Sequence, residues 1–244
     1  MRSLVVGASA GVGRALSEAL AAHGNELLLV ASDVRDLEAQ AAHLRLVYDI
    51  RVETVPCDAS RPSECLNNIR SAAESFGHFD RLFFPIGLSH SNDRGVLSLT
   101  EVQQLFDVNL ITIVGVIGYF LSDFLASNHG SIVGFGSVAA IRGRRANMAY
   151  AAAKRGLDSY FESLCHLTAK TKVRVQFYRL GYVATQQAFG KKLLIPPISP
   201  KAVAMTVVNN LDAGSGFIFL PRYWFIIAHL ISALPWFIFK RIDF

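Results

Sequence analysis

The chain has 244 residues, 52% of them hydrophobic and 18% charged, and its 24 basic and 19 acidic side chains leave a net charge of +5. A chain this apolar can bury enough surface to offset its conformational entropy, which excludes a disordered protein. So small a positive excess, with no aromatic-interleaved basic stripe, excludes nucleic acid as a partner. Three cysteines, Cys57, Cys65 and Cys165, form no Cys-x-x-Cys pair, and the seven histidines and the carboxylates show no ligand spacing. A disulfide framework and a metal site are therefore not expected, and the cysteines read as inert thiols in a reducing compartment. The apolar run Leu4–Val6 is too short for a secretory signal, so the protein is expected in the cytoplasm.

Short apolar runs alternate with stretches of helical period along the chain. Strand Ser3–Val6 precedes a helix over Gly11–His23, strand Glu26–Ala31 a helix over Arg35–Val47, and strand Val52–Pro56 a helix over Pro62–Phe76. Then come strand Arg81–Ile86, a helix ending near Asn128, strand Ser131–Phe135 and a helix over Asn147–Ala169. Strand Val173–Leu180, helix Pro200–Leu211 and strand Gly216–Leu220 complete the set. Continuous apolar strands separated by amphipathic helices predict a single-domain α/β fold: a Rossmann-like, doubly wound, seven-stranded parallel sheet with helices on both faces. No repeat or linker divides it, so residues 1–221 read as one domain and 222–244 as an apolar C-terminal extension.

Gly7-Ala8-Ser9-Ala10-Gly11-Val12-Gly13 lies between the first strand and the first helix. Glycines there let the backbone approach a pyrophosphate, and the helix N-terminus supplies unpaired N–H groups, so the loop from Gly7 through Ser9, Gly11 and Val12 to Gly13 is a dinucleotide cradle. Asp58, just past the third strand, is placed either to accept a hydrogen bond from an adenine amino group or to act as a helix N-terminal carboxylate. Asp33 lies at the distance expected of a carboxylate that holds ribose hydroxyls, while Arg14 and Arg35 offer cations for a 2′-phosphate. The cofactor is accordingly NAD(H) or NADP(H), with the choice open.

Tyr150 and Lys154, four apart near a helix start, share one face. A phenol with a reference pKa of about 10 becomes a usable acid if a neighbouring ammonium stabilises the phenolate. Ser137 ends the fifth strand, where its hydroxyl can bind a substrate carbonyl, and Asn109 in the preceding helix can bind a backbone group or a water that feeds protons to the lysine.

These residues resemble the short-chain dehydrogenase/reductase family from Leu4 to about Thr185. The matching features are Gly7, Gly11 and Gly13, then Asp58, Asn109, Ser137, and Tyr150 with Lys154, and last Leu180-Gly181-Tyr182-Val183-Ala184-Thr185 in place of the family's Pro-Gly-x-Val-x-Thr. The resemblance implies hydride transfer between a nicotinamide and a carbonyl or alcohol carbon, with Tyr150 as proton donor or acceptor. It makes Lys154 the group that lowers the pKa of Tyr150 and holds the nicotinamide ribose, Ser137 the carbonyl-orienting hydroxyl, and Asn109 the end of a proton relay. It adds Gly87, Gly181, Val183 and Thr185 to the cofactor contacts. Two positions depart: Phe84-Pro85-Ile86-Gly87 stands where the family has Asn-Asn-Ala-Gly, and Leu180 replaces a proline.

Arg142, Arg144 and Arg145 fall between Ser137 and Tyr150. Planar guanidinium groups there suit an anionic substrate, and a solvated loop or an oligomer contact is the plainer alternative. The stretch Phe217–Phe244 holds nine of the 26 aromatic residues, and Tyr223–Phe239 carries no formal charge but is interrupted by Pro235. Flanked by Arg222, Lys240 and Arg241, it reads as a helix in a membrane interface, with a lid or a dimer contact as the competitor. Together with the Gly87 turn, these features are similar to the decaprenylphosphoryl-2-keto-pentose reductases. That resemblance implies a lipid-linked or phosphorylated keto-sugar substrate made by a flavoprotein oxidase partner, in cell-envelope synthesis. Further expected partners are the inner face of the cell membrane, met through the C-terminal segment, and other copies of this chain. The alternatives are a reductase of another long-chain keto lipid and a catalytically silent, membrane-docked subunit.

Overall fold

The computed structural model describes residues 1–185 and 195–242; Phe244, counted above among the aromatics, lies outside the described residues. Seven strands form one sheet: β1 (Arg2–Val6), β2 (Glu26–Ala31), β3 (Val52–Pro56), β4 (Arg81–Phe84), β5 (Ser131–Ser137), β6 (Arg174–Leu180) and β7 (Gly216–Leu220). Their spatial order is β3-β2-β1-β4-β5-β6-β7, and every pairing is parallel. The order reverses between β1 and β4, and the crevice at the carboxyl ends of these strands is where such sheets bind ligands.

Successive side chains on a strand point to opposite faces, so each strand feeds two cores. On one face Leu4, Val6, Leu28, Val30, Leu82 and Phe84 pack with residues of α3 (Pro62–Phe76), α5 (Thr112–Ser127) and α6 (Met148–Thr168). On the other, Val5, Leu27, Leu29, Phe83 and Val133 pack with residues of α1 (Gly11–Ala22), α2 (Val34–Tyr48) and α7 (Pro200–Asn209). Full burial on both sides is why these strands read as continuous apolar runs rather than alternating ones.

The helix expected to end near Asn128 runs from Leu99 to Ser127 as α4 (Leu99–Phe106), a π-helical turn (Asp107–Ile111) and α5. Its length and composition would suffice to cross a membrane. However, Val108, Asn109, Ile113, Val116, Ile117 and Phe124 on it are buried in the protein.

One expectation fails here. Cys57 and Cys65 are joined as a disulfide, with Cα atoms 5.2 Å apart, rather than standing as free thiols. The end of β3 delivers Cys57, and the first turn of α3 folds back to bring Cys65 beside it, a closeness that the eight-residue separation did not signal. Cys165 is a free thiol whose pKa is pushed up by burial and by Glu162.

Past β7 the chain forms α8 (Trp224–Ala233), turns extended at Leu234 before Pro235, and ends in the short α9 (Trp236–Phe239). Proline cannot continue a helix, which explains the break. Trp224 and Ala228 face inward and with Phe219 form a small third cluster against Val138, Ile141, Tyr182 and Ile195, and Phe239 is buried as well. Phe225, Ile226, Leu230, Trp236 and Phe237 face outward and are exposed.

Candidate active site

A cavity of about 1680 Å³ opens at the carboxyl ends of the strands. This exceeds the roughly 300–1,000 Å³ of ordinary ligand pockets and gives room for a dinucleotide together with a substrate. One end is lined by Gly7, Ser9, Gly11, Val12, Asp33 and Asp58; the middle by Gly87, Gly181, Val183 and Thr185; the far end by Ser137, Tyr150 and Lys154.

The glycines of the first turn are required by space. A Cβ on Gly13 would stand 1.8 Å from the Gly7 carbonyl oxygen, so α1 lies directly on the turn. Gly7 has φ +96° and backs onto Ile86, where a Cβ would stand 2.7 Å from Cα. The N-terminus of α1 thus opens onto the cavity with no side-chain cap of its own, a setting suited to a pyrophosphate. Asp58 accepts from the Ser60 N–H (2.9 Å) and hydroxyl (2.8 Å), which hold its pKa below the usual carboxylate value. It therefore serves the turn into α3 while remaining on the cavity wall. Asp33 caps α2 by accepting from the Asp36 N–H at 3.0 Å. Arg14 is held by the Ser9 carbonyl (2.9 Å) and by Asp36 (2.8 Å), with Arg35 also beside Asp36.

At the other end, Lys154 is 3% exposed and donates to the carbonyls of Ile86 (3.2 Å) and Phe135 (3.1 Å). Burial without a carboxylate partner pushes its pKa down to about 7. Tyr150 is hydrogen-bonded to Ser137. The expected lowering of the phenol pKa by Lys154 is not what the site shows. Burial pushes Tyr150 up, and the Ser137 hydroxyl and the Arg144 charge oppose that push.

Asn109 occupies the π-helical turn and is fully buried. Its amide donates to the carbonyls of Leu88 (2.8 Å) and Leu105 (2.8 Å), and its oxygen accepts from the Leu88 N–H (3.2 Å). Of the two roles open to it, binding backbone is the one observed. It pins the turn at Gly87, where an added Cβ would lie 3.4 Å from Asn109 Oδ1 and 3.7 Å from Lys154 Nζ. Pro85-Ile86-Gly87 thus keeps a turn in place without the asparagines of the family pattern.

The three arginines separate. Arg144 lines the cavity and acts electrostatically on Tyr150. Arg142 donates to the carbonyls of Ile231 and Leu234, each at 2.6 Å, and lies 3.9 Å above the Phe239 ring. Its guanidinium is engaged by the C-terminal segment at the end of α8, where backbone carbonyls are open to a further donor. Arg145 is exposed and off the cavity wall. Of the three arginines expected to contact substrate, Arg142 and Arg144 thus line the cavity, Arg142 with its guanidinium engaged by the C-terminal segment.

Two residues at the site went unnoticed in the sequence. Trp224 roofs the cavity, its indole N–H buried without a partner, so close to Gly181 that a Cβ there would meet Nε1 at 2.0 Å. Asp93, 2% exposed, bonds the start of the helix that carries Tyr150. The aromatic cluster near the C-terminus signalled the first; nothing local signalled the second. Among the described residues no group of three or more His, Cys, Asp or Glu could hold a metal ion.

A phenol, a hydroxyl and an amine around one end of a dinucleotide-sized cleft can bind and protonate a carbonyl oxygen, and a reduced nicotinamide held in that cleft would supply the hydride. The family model for short chain dehydrogenases matches residues 2–192. The chain belongs to that family, whose members are NAD(P)-dependent oxidoreductases. Among known proteins it is 27% identical over 236 residues to an uncharacterised oxidoreductase of Mycobacterium tuberculosis, covering 96% of this chain and 94% of that one. It is 24% identical over 228 residues to a 3-oxoacyl-[acyl-carrier-protein] reductase of Bos taurus, covering 93% of each. In fold it is similar to a short-chain dehydrogenase of Sphingobium yanoikuyae in complex with NADPH, with a TM-score of 0.83 at 22% identity over 96% of both chains. It is also similar to a 7beta-hydroxysteroid dehydrogenase, with a TM-score of 0.85 at 20% identity over 95% of this chain and 91% of that one.

Proposed function

We propose that this enzyme reduces the keto group of a sugar carried on a polyprenyl phosphate, in the synthesis of a cell-envelope polysaccharide at the inner face of the membrane. The observation that carries this reading is the mixed character of the substrate end. A guanidinium, Arg144, stands by the reacting phenol, under an apolar roof of Trp224, Ile227, Ala228 and Ile231. An anionic head and a lipid tail suit those two surfaces. The outward apolar face of residues 223–239, flanked by Arg222, Lys240 and Arg241, suits an anionic lipid surface from which such a substrate is drawn. An oxidase that makes the ketone, such as a flavoprotein, would supply the substrate.

In this reading the Gly7–Gly13 turn, Thr185 and Lys154 hold the dinucleotide, which when reduced supplies the hydride to the ketone carbon. Ser137 and Tyr150 donate to the ketone oxygen, and Tyr150 gives up its proton as the alcohol forms. The phenolate left behind is stabilised by Ser137 and by the Arg144 charge, and Lys154, which titrates near neutrality, returns the proton.

The test compares a polyprenyl-phosphate keto-sugar with a neutral ketone of similar reactivity. Replacing Arg144 by alanine should raise KM for the phosphorylated compound by about 10-fold to 100-fold and leave that for the neutral ketone within about twofold. Equal effects on both would count against the phosphate role. A second reading, reduction of a long-chain 3-keto lipid, is favoured by the apolar roof and by the similarity to a 3-oxoacyl reductase. It predicts turnover of such a ketone with a KM that does not depend on Arg144.

A further inference from the structure

The helix that carries Tyr150 begins without a cap of its own. Asn147, at the N-cap of α6, is left-handed with φ 57°, its side chain makes no capping bond, and the first turn holds no acidic residue. The first N–H groups of a helix have no partner within it, and Tyr150 sits in that first turn. The partner comes from far back in the sequence. The Asp93 carbonyl accepts from the N–H of Asn147 (2.7 Å) and Met148 (3.4 Å). Its carboxylate accepts from the N–H of Ala149 through Oδ1 and of Tyr150 through Oδ2, each at 2.9 Å. One buried residue, 57 positions upstream of Tyr150, thus takes all four N–H groups at the start of this helix.

The loop that presents Asp93 is itself anchored. Leu88 is bonded in both directions to Asn109, His90 pairs with Glu101 of α4 (Nε2 to Oε1, 3.2 Å), and Gly95 lies under Met148. Asn109 and Tyr150 are therefore mechanically linked through residues 88–93.

We propose that Asp93 is a positioning residue for the reaction. It fixes the backbone of Tyr150, and so the point at which the phenol meets the ketone oxygen beside Ser137. Both its carboxylate oxygens accept from backbone N–H groups, so its action goes through Tyr150 rather than through proton transfer of its own. A misplacement of about 1 Å at a reacting group can cost about 100-fold in rate, which sets the size of the effect. The inference rests on Tyr150 as the acid, not on the identity of the substrate.

The test uses the full chain with Asp93→Ala, Asp93→Ser and Asp93→Asn, and the reduction of 9,10-phenanthrenequinone by NADPH, with rates expressed per titrated dinucleotide site. Asp93→Ala should lower kcat by about 10-fold to 100-fold while KM for the quinone and the dinucleotide Kd stay within twofold. Serine and asparagine, each keeping one acceptor, should recover part of the loss. In a Tyr150→Phe background the same substitution should cost nothing further, which a general loosening of the fold would not reproduce. Amide exchange, read with no substrate present, should show Ala149 and Tyr150 protected in the unaltered protein. In the serine and asparagine variants it should be at least tenfold faster at these two positions, with Leu157 and Phe161 unchanged. Unaltered kcat per site in Asp93→Ala, additive losses with Tyr150→Phe, or unprotected amides in the unaltered protein would overturn the proposal.

Discussion

Lys154 gives the site a measurable signature in stability. Its amine is 3% exposed, and its pKa is pushed from 10.5 down to about 7 by burial. In the unfolded chain it returns to the ordinary value. Between about pH 7 and pH 10.5 the unfolded state therefore holds more protons than the native state, and stability rises with pH across that window. Each unit is worth about 1.4 kcal/mol at most. Integrated from pH 7, where the native amine is half protonated, to pH 9, the gain is about 2 kcal/mol. Lys154→Met removes this titration and leaves the other groups as they are, so the difference between the two proteins isolates it. Urea unfolding of dinucleotide-free protein at pH 7, 8 and 9, followed by tryptophan fluorescence, measures the gain. The unaltered protein should gain about 2 kcal/mol over Lys154→Met across that range. Parallel pH profiles, agreeing to within about 0.5 kcal/mol, would refute the claim that this amine is held out of water.

Tyr150→Phe should lower kcat/KM by about 10²-fold to 10⁴-fold and leave dinucleotide Kd within twofold, as judged by fluorescence titration; comparable activity would remove the phenol from its role. Gly13→Ala drives a methyl group into the Gly7 carbonyl and should cost about 1–3 kcal/mol in denaturant unfolding and abolish dinucleotide binding. Unchanged binding would show that the cradle lies elsewhere. Arg142→Ala frees the carbonyls of Ile231 and Leu234, so limited proteolysis within residues 224–239 should quicken by about 10-fold; unchanged cleavage would show that Arg142 does not hold the segment. Removal of residues 223–244 should end flotation with phosphatidylglycerol vesicles while dinucleotide binding persists, whereas a change of oligomeric state instead would favour a subunit contact.

The sheet was legible because its strands are apolar on both sides. Leu27, Leu28 and Leu29 in a row have no other use in a chain of alternating period, and only boundaries such as Phe84 for Ile86 moved. The glycine turn and the Tyr150–Lys154 pair were legible because spacing on a helix fixes a shared face. What failed depended on distances through space. The direction of the Tyr150 shift is set by burial in the folded site, which no spacing encodes. Arg142 and Arg144 are two apart in sequence and both line the cavity, yet the Arg142 guanidinium is bound by the end of α8 while the Arg144 charge acts on Tyr150, a distinction that only the folded C-terminus creates. Asp93 carried no local motif, and its meaning arises only when residues 88–93 meet the start of α6.

The roof of the cleft is contributed by α8, which lies outside the seven-stranded framework that places Tyr150, Ser137 and Lys154. Chamber shape and bond-making chemistry are thereby assigned to separate stretches of polypeptide. Altering Ile227, Ala228 or Ile231 can widen or narrow what fits inside without disturbing the proton donor. A bulky side chain in place of Ala228, which is buried in that roof, would burden the ceiling first.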